Sequence, residues 1–286
     1  MNSPAPPPLP RPTPESNKHR RGHVLALCGG LPMAGAIRLA AKASLRIGAG
    51  RVTVAVQAEA AALVGADCAA LMLSLIDEPG DWESLLESGD HSVFLLGPGL
   101  PVSDQTRAKV LAGLAQPKHV VLDAGALSAF GNDQARLFEA FKQRHEHGYS
   151  LPVLTPHAGE FRRLFDTEIG PESVSTGDKR RLAQQAAVKA NAVIVAKGHN
   201  SVLASPKLAE AKLLPPGSPW LATSGTGDVL AGLIAGLLAQ GLSPEEAAET
   251  GAWVHSEASY RAGPGLIADD LDDAIRAVLL DHHGPA

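Results

Sequence analysis

Aromatic side chains are scarce in this 286-residue chain, at 4% of the total. Surfaces that stack single-stranded bases are built from such rings, so that class of partner is disfavoured from the start. An excess of positive charge is also missing. Lys and Arg number 25 against 30 Asp and Glu, for a net charge of −5, and no basic stripe stands out. Nucleic acid is therefore not an expected partner. No apolar run approaches the roughly 20 residues that span a bilayer, and no membrane partner is expected. Cysteine is nearly absent: Cys28 and Cys68 lie in apolar stretches without CxxC spacing. Two buried thiols in a reduced, cytoplasmic setting follow, rather than a disulfide scaffold. Histidine is more plentiful, but His145-Glu146-His147 and His282-His283 lack metal-ligand spacing and read as solvated.

What is present is the composition of an ordinary globular protein, 45% hydrophobic and 19% charged. Residues 1–21 hold seven prolines and few apolar side chains beyond Ala and Leu. Such a stretch buries too little surface to order itself, so a disordered or polyproline-like tail is expected, without the apolar core of a signal peptide. Residues 22–286 show no internal repeat and no linker, and one domain is the economical reading. Within it, short β-branched or apolar runs at 23–27, 51–56, 92–96, 119–122, 151–154, 192–196 and 201–204 alternate with Ala- and Leu-rich helical patterns at 34–47, 103–115, 133–145 and 177–189. This alternation predicts an α/β layered fold with a mostly parallel sheet covered on both faces. The last two runs, joined through Lys197-Gly198-His199-Asn200, read as a hairpin. Further on, 229–238 is apolar nearly all round and should form a buried helix. Ser243-Pro244-Glu245-Glu246 carries the signature of a capped helix start. That helix should stop near Gly263-Pro264-Gly265, and a last amphipathic helix should start at Asp269 or Asp270.

In an open α/β sheet, ligands collect beyond the carboxyl ends of the strands. Here those ends read Cys28-Gly29-Gly30, Gly97-Pro98-Gly99, Asp123-Ala124-Gly125, Thr155-Pro156-His157-Ala158-Gly159-Glu160 and Lys197-Gly198. One more stretch stands apart: Ala222-Thr223-Ser224-Gly225-Thr226-Gly227-Asp228, a glycine-broken loop that runs into the apolar helix. Its glycines let backbone amides turn toward a ligand, and the helix start adds a positive dipole end, so the place suits an anion. A carboxylate there would repel the anion. Asp228 makes sense as a base beside a phosphate, or as a simple helix cap, and its spacing alone leaves both readings open.

These blocks, with Gly35-Ala36, the Leu39–Ala43 segment and Gly48-Ala49-Gly50-Arg51-Val52-Thr53-Val54, resemble the ADP/ATP-dependent NAD(P)H-hydrate dehydratases over residues 22 to about 280. Gly-Thr-Gly-Asp by itself marks the wider ribokinase-like superfamily; the opening block and Thr-Pro-His-x-Gly-Glu narrow it. The resemblance implies a ribokinase-like three-layer sandwich, with a mostly parallel central sheet flanked by helices. It implies a hydro-lyase of metabolite repair that uses ADP, or less readily ATP, to dehydrate NADHX and NADPHX, releasing AMP and phosphate. Mg²⁺ and a homo-oligomer, a dimer or homotetramer, are usual for the family. Many bacterial members carry an N-terminal epimerase domain; with a proline-rich tail before the dehydratase part, this chain is expected to lack that activity.

Residue by residue, the resemblance makes Asp228 the catalytic base and places Ala36, Gly99, His157 and Asp228 against the hydrate. It gives Lys197, Gly198, His199, Asn200, Ser201 and Gly227 to the nucleotide, and Gly225, Thr226 and Gly227 to an anion hole. Glu160 would hold Mg²⁺ through water. Four positions depart from the family pattern: Pro101 where Gly is usual, Gly125 where Asp is common, Ser218 in place of Asn, and Ser224 in place of Gly. Two other readings share the same loop, a ribokinase-like kinase acting on a small vitamin precursor and a nucleotide-binding regulator that has lost its chemistry.

Overall fold

A computed structural model describes residues 7–66, 68–165 and 175–284. Among the described residues nine strands form one sheet: β1 (His23–Leu27), β2 (Arg51–Val56), β3 (Met72–Leu75), β4 (Val93–Leu96), β5 (His119–Leu122), β6 (Val153–Leu154), β7 (Val193–Ala196), β8 (Val202–Ala204) and β9 (Lys212–Leu213). Their order is β3-β2-β1-β4-β5-β6-β7-β8-β9. Neighbours are parallel from β3 to β7, and β8 and β9 close the sheet antiparallel. The chain grows outward from β1 to β3, then returns to β4 on the other side of β1. That reversal opens a crevice beyond the carboxyl ends of β1 and β4.

Alternation along each strand sorts its side chains between two helical layers. Val24, Ala26, Val93 and Leu95 face a layer built from α1 (Ala34–Arg46), α9 (Thr226–Ala239), α10 (Pro244–Ala262) and α11 (Leu271–His283). Leu25, Leu27, Phe94 and Leu96 face the other, which holds α4 (Asp104–Leu114), α6 (Gln134–Glu146), α7 (Ala158–Phe165) and α8 (Thr176–Ala190). The two layers pack by different means. Phe130, Phe141, Phe161 and Phe165 fill the second, whereas the first relies on small residues that let helix backbones touch. The remaining helices are α2 (Ala58–Gly65), α3 (Asp81–Ser88) and α5 (Ala124–Ser128).

The helix expected at 229–238 is α9, and every residue from Val229 to Ala239 is buried. It lies along α1 at very short range. A Cβ on Gly232 would sit 2.1 Å from the Ala40 carbonyl oxygen, and one on Gly236 would sit 2.6 Å from that of Ser44. Ser44 Oγ lies 2.8 Å from the Gly232 carbonyl oxygen and joins the two helices. The cap at Ser243 is also as expected: its hydroxyl accepts from Glu246 N, and Glu246 accepts from Ser243 N at 3.0 Å.

Several expectations need correction. β3 and β9 were not anticipated: β3 is an exposed edge strand without β-branched residues, and β9 has only two residues. Cys68 is half-buried, not buried like Cys28, and both thiols are free. His282 and His283 are half-buried, with the His282 ring 6.1 Å from that of Trp253, whereas His145 and His147 are exposed. The tail expected at 1–21 falls partly outside the described residues, at 1–6. Residues 7–21 hold turns without helix or strand, and Leu9, 8% exposed, packs into the first layer.

The α1–α9 contact yields a stability test. Gly232→Ala pushes a methyl group into backbone that cannot yield, and overpacking of this kind costs ~1–3 kcal/mol. The expected result is a lower urea midpoint with an unchanged slope. An unchanged midpoint would show that the two helices separate freely.

Candidate active site

The carboxyl ends of the strands meet one another in a continuous rim. A Cβ on Gly29, after β1, would fall 1.8 Å from the Gly99 carbonyl oxygen, after β4. One on Gly97 would fall 1.8 Å from the Asp123 carbonyl oxygen, after β5. Only glycine allows backbones this close. From Asp123 onward the rim is held by side chains. The Asp123 carboxylate, 1% exposed, accepts from Thr155 Oγ1 after β6 and from Lys197 Nζ after β7, both at 2.7 Å through Oδ1. The far side of Lys197 faces the first turn of α9, since a Cβ on Gly227 would lie 3.2 Å from Nζ.

Lys197 thus stands among three carboxylates. Burial pulls its ammonium down, but Asp123, Glu160 and Asp228 together hold it above the ordinary lysine value. Burial pushes Glu160 up to about 7, against the pull of Lys197 and with a smaller push from the charge of Asp123. Burial and the charge of Asp123 push Asp228 up to about 6, against the pull of Lys197. A group with such a value changes protonation near neutral pH, as a general base must.

The helix-cap alternative for Asp228 is decided by position. Gly225, at φ 89°, is the N-cap of α9, and Asp228 is the third residue of the helix. Among the described residues its carboxylate receives no hydrogen bond. The amides of Thr226, Gly227 and Asp228 have no carbonyl within their own helix. Free donors, a positive dipole end and an uncommitted carboxylate therefore share one turn.

Beside this turn opens a cleft of about 410 Å³, lined by Lys197, Gly198, His199, Ser201, Thr226 and Gly227 among others. Six residues expected to meet an anion or nucleotide are thereby brought together. Gly225 sits one residue outside the lining. Asn200 does not join it: Nδ2 reaches 3.4 Å to Thr176 Oγ1 on α8. Residues expected at the hydrate lie along the rim. Ala36 is half-buried in the first turn of α1, and Gly99 is buried against the backbone of Met33, which precedes that helix. His157 is exposed, and its Nδ1 accepts from Gly159 N at 2.9 Å. Its proton is then on Nε2, 3.4 Å from Glu160 Oε1, while Glu160 Oε2 accepts from His157 N at 2.9 Å.

Sequence reasoning singled out Asp123 only as a strand end and gave no role to Thr155 or His255. His255, in α10, lines the cleft and places Nε2 2.9 Å from the Thr226 carbonyl oxygen. A histidine on the buried face of a helix, in register with Gly251 and Ser259, was the available signal. Ser256 and Ser259 fasten the opposite wall: Ser256 Oγ donates to the Pro216 carbonyl at 2.6 Å, and Ser259 Oγ accepts from Ser218 N at 2.9 Å.

The residues suit Mg²⁺ in one way only. Their donors are hard carboxylate oxygens, with three acids around one lysine. Yet among the described residues no three His, Cys, Asp or Glu are grouped so as to hold a metal by themselves. Glu160 already accepts the His157 amide. Mg²⁺ keeps several waters and binds readily through phosphates, which fits an ion carried in on a nucleotide and met by Glu160 through water.

Two of the four departures, Gly125 and Ser218, have local reasons. A Cβ at position 125 would fall 1.9 Å from the Leu100 carbonyl oxygen, so Gly125 follows from the path of the loop that enters Pro101. The Pro101 carbonyl accepts from Thr106 Oγ1 at 2.6 Å, near the start of α4. Ser218 Oγ accepts from Trp220 N at 3.3 Å, a capping bond that Asn also makes. Ser224 is exposed, and no contact among the described residues accounts for it.

Comparison with known proteins bears on the family and the fold. A family model described as NAD(P)H-hydrate dehydratase matches residues 24–277. The chain is 36% identical to the ADP-dependent (S)-NAD(P)H-hydrate dehydratase of Xanthomonas campestris, covering 94% of this chain and 92% of that one. It is 34% identical to the bifunctional NAD(P)H-hydrate repair enzyme of Coxiella burnetii, over 95% of this chain but 53% of that protein, so it spans about half the length of such relatives. The structure is similar to that of the ADP/ATP-dependent NAD(P)H-hydrate dehydratase of Bacillus subtilis, co-crystallized with ATP/Mg²⁺, at TM-score 0.81 and 27% identity, over 96% and 94% of the two chains. The ribokinase-like α/β sandwich expected from the sequence is the fold observed. By the extent of these matches, the chain belongs to the NAD(P)H-hydrate dehydratase family.

Proposed function

We propose that this protein is an ADP-dependent NAD(P)H-hydrate dehydratase, restoring NADH and NADPH from NADHX and NADPHX and releasing AMP and phosphate. The observation that carries the proposal is the uncommitted Asp228 carboxylate in the same helical turn as three free amides, beside Lys197. Hydroxyl is a poor leaving group and phosphate a good one. The anhydride therefore supplies a phosphoryl group to the hydrate's hydroxyl, and elimination of phosphate completes the dehydration.

Each residue has a physical task in this reading. Asp228 takes the proton as the hydroxyl oxygen attacks the terminal phosphorus and the bond to AMP breaks. Amides of Gly225, Thr226 and Gly227 receive the charge on the transferring phosphate. Lys197, held by Asp123, neutralises charge between the phosphates, and Gly198, His199 and Ser201 line the nucleotide's cleft. Asn200 supports the hairpin through Thr176 from outside that lining. Ala36, Gly99 and His157 meet the hydrate along the rim. Mg²⁺, when bound, would neutralise the phosphates, with Glu160 facing it through water. ADP is the preferred co-substrate in this reading and ATP the second. A homo-oligomer, dimer or tetramer, belongs to the same proposal and is supported by the exposed apolar Met72, Leu73 and Leu75 on the edge strand β3.

Replacing Asp228 separates catalysis from stability. Asp228→Asn should lower turnover by ~10²–10⁴-fold, the usual worth of a positioned base. Its carboxyl binds protons more tightly in the fold than in an unfolded chain, so the ionised form costs stability above about pH 6. The variant should then be more stable than the parent at pH 8, by on the order of 1–3 kcal/mol, and unfold at a higher temperature. Recovery of nicotinamide absorbance from NADHX with ADP and Mg²⁺ reads the first effect, and calorimetry reads the second. Near-normal turnover would sink the assignment.

The same group sets a pH profile. Asp228 must be ionised to accept a proton, and its carboxyl titrates near about 6. The rate kcat/KM should be flat above about pH 7 and fall about tenfold per unit below about pH 6. A flat profile down to pH 4.5 would contradict the role. Products of the same assay separate the rivals: a stable phosphorylated alcohol marks a kinase, and binding without turnover marks a regulator.

A further inference from the structure

Of the polar wall residues that neither the glycine loop nor the strand ends provide, His255 is bonded to the turn that opens α9. His255 is 8% exposed, and its Nε2 lies 2.9 Å from the Thr226 carbonyl oxygen. A carbonyl only accepts, so Nε2 carries the hydrogen and donates it. Burial and the nearby Lys197 charge hold the ring down to about 4, against the pull of the Thr226 bond, so the imidazole is neutral at pH 7.

The identity of the acceptor gives this bond its meaning. The Thr226 carbonyl and the Gly227 N–H belong to a single peptide plane. A hydrogen bond donated to the oxygen of an amide draws electron density toward that oxygen and strengthens the N–H as a donor. It also adds a restraint on the plane beside the one that the helix imposes. Thr226 is held from its other side as well: Oγ1 lies 2.9 Å from the Leu221 carbonyl oxygen and 3.1 Å from that of Thr223. Residue 226 is thus held through its carbonyl and through its side chain.

We propose that His255 is a positioning residue for phosphoryl transfer, which orients and polarises the Gly227 N–H through the Thr226–Gly227 peptide. This rests on the assignment of that amide to the anion hole made above. His255 acts through the peptide, not on a reacting atom. The negative charge that Gly227 N–H receives is greatest in the transition state, so the effect belongs in kcat more than in KM. A histidine that served only to pack α10 against α9 would alter stability and leave that division untouched.

The test uses the full chain with NADHX, ADP and Mg²⁺. In His255→Leu the N–H donor is gone. The expected loss in kcat is about 10- to 100-fold, less than the ~10²–10³-fold lost on deleting an oxyanion donor outright, with KM for ADP and for NADHX changed by less than about threefold. His255→Gln, which keeps a side-chain N–H, should recover part of the lost kcat. In ¹⁵N-labelled protein the Gly227 amide proton should move upfield in His255→Leu, while amides in the first turn of α10 stay in place. Should His255→Leu not fold, His255→Asn, whose amide falls short of the Thr226 oxygen, is judged by the same criteria. Parent-like kcat, or a raised KM for ADP at unchanged kcat, overturns the proposal. Asp228→Asn run in parallel separates the two failures. If it keeps turnover, the site assignment itself fails; if it is inactive while His255→Leu keeps full kcat, only the role of His255 fails.

Discussion

The ion pair between buried Asp123 and half-buried Lys197 is the interaction on which the site's geometry turns. It joins the carboxyl ends of β5 and β7 across β6, and Thr155 completes the join from β6 itself. Such a pair adds little net stability, because two ions must leave water to form it. Removing one partner would strand the other and cost on the order of 3–5 kcal/mol. The pair is thus better at fixing position than at stabilising the fold. What it fixes is the ammonium between the hairpin turn and the first turn of α9.

Everything else at the site is arranged around that fixed charge. A lysine among three acids leaves negative charge in excess, and burial magnifies the imbalance. Glu160 and Asp228 respond by binding protons near neutral pH, at about 7 and about 6. An excess of acid is unfavourable for an empty fold and favourable for one that meets cations and takes up a proton. The α9 start supplies the opposite sign at short range, through free amides and the helix dipole. Both signs are thereby present within one turn, which is what transfer of a phosphoryl group between two oxygens requires.

The fold was legible wherever burial imposed a pattern. The inner strands are covered on both faces, so their β-branched runs mark them nearly to the residue, as at β2 and β5. β3 escaped because it lies at the edge, with Met72, Leu73 and Leu75 exposed and no pattern imposed on it. The glycine-rich helix start and the unusual strand ends were legible as chemistry. Their mutual arrangement was not. Asp123 and Lys197 are 74 residues apart, and no periodicity links them. The Leu100 carbonyl that makes residue 125 a glycine lies in another loop. Asn200, next to residues that do line the cleft, reaches Thr176 of α8 instead, from the five-residue turn between β7 and β8.

His255 shows the same limit from the other side. By pattern it is one buried residue of an apolar helix face, indistinguishable from a core histidine. Its meaning depends on where that face lands, and α10 lands on the first residue of α9. That placement in turn depends on glycines. Gly251 of α10 lets Ile234 of α9 approach, with a would-be Cβ only 2.9 Å from its Cγ1, while Gly232 and Gly236 seat α9 on α1. Close helix packing in this layer therefore does more than bury surface. It brings a neutral imidazole within 2.9 Å of a peptide oxygen at the turn that faces the cleft. The small residues of the core and the chemistry at the rim are two ends of one constraint.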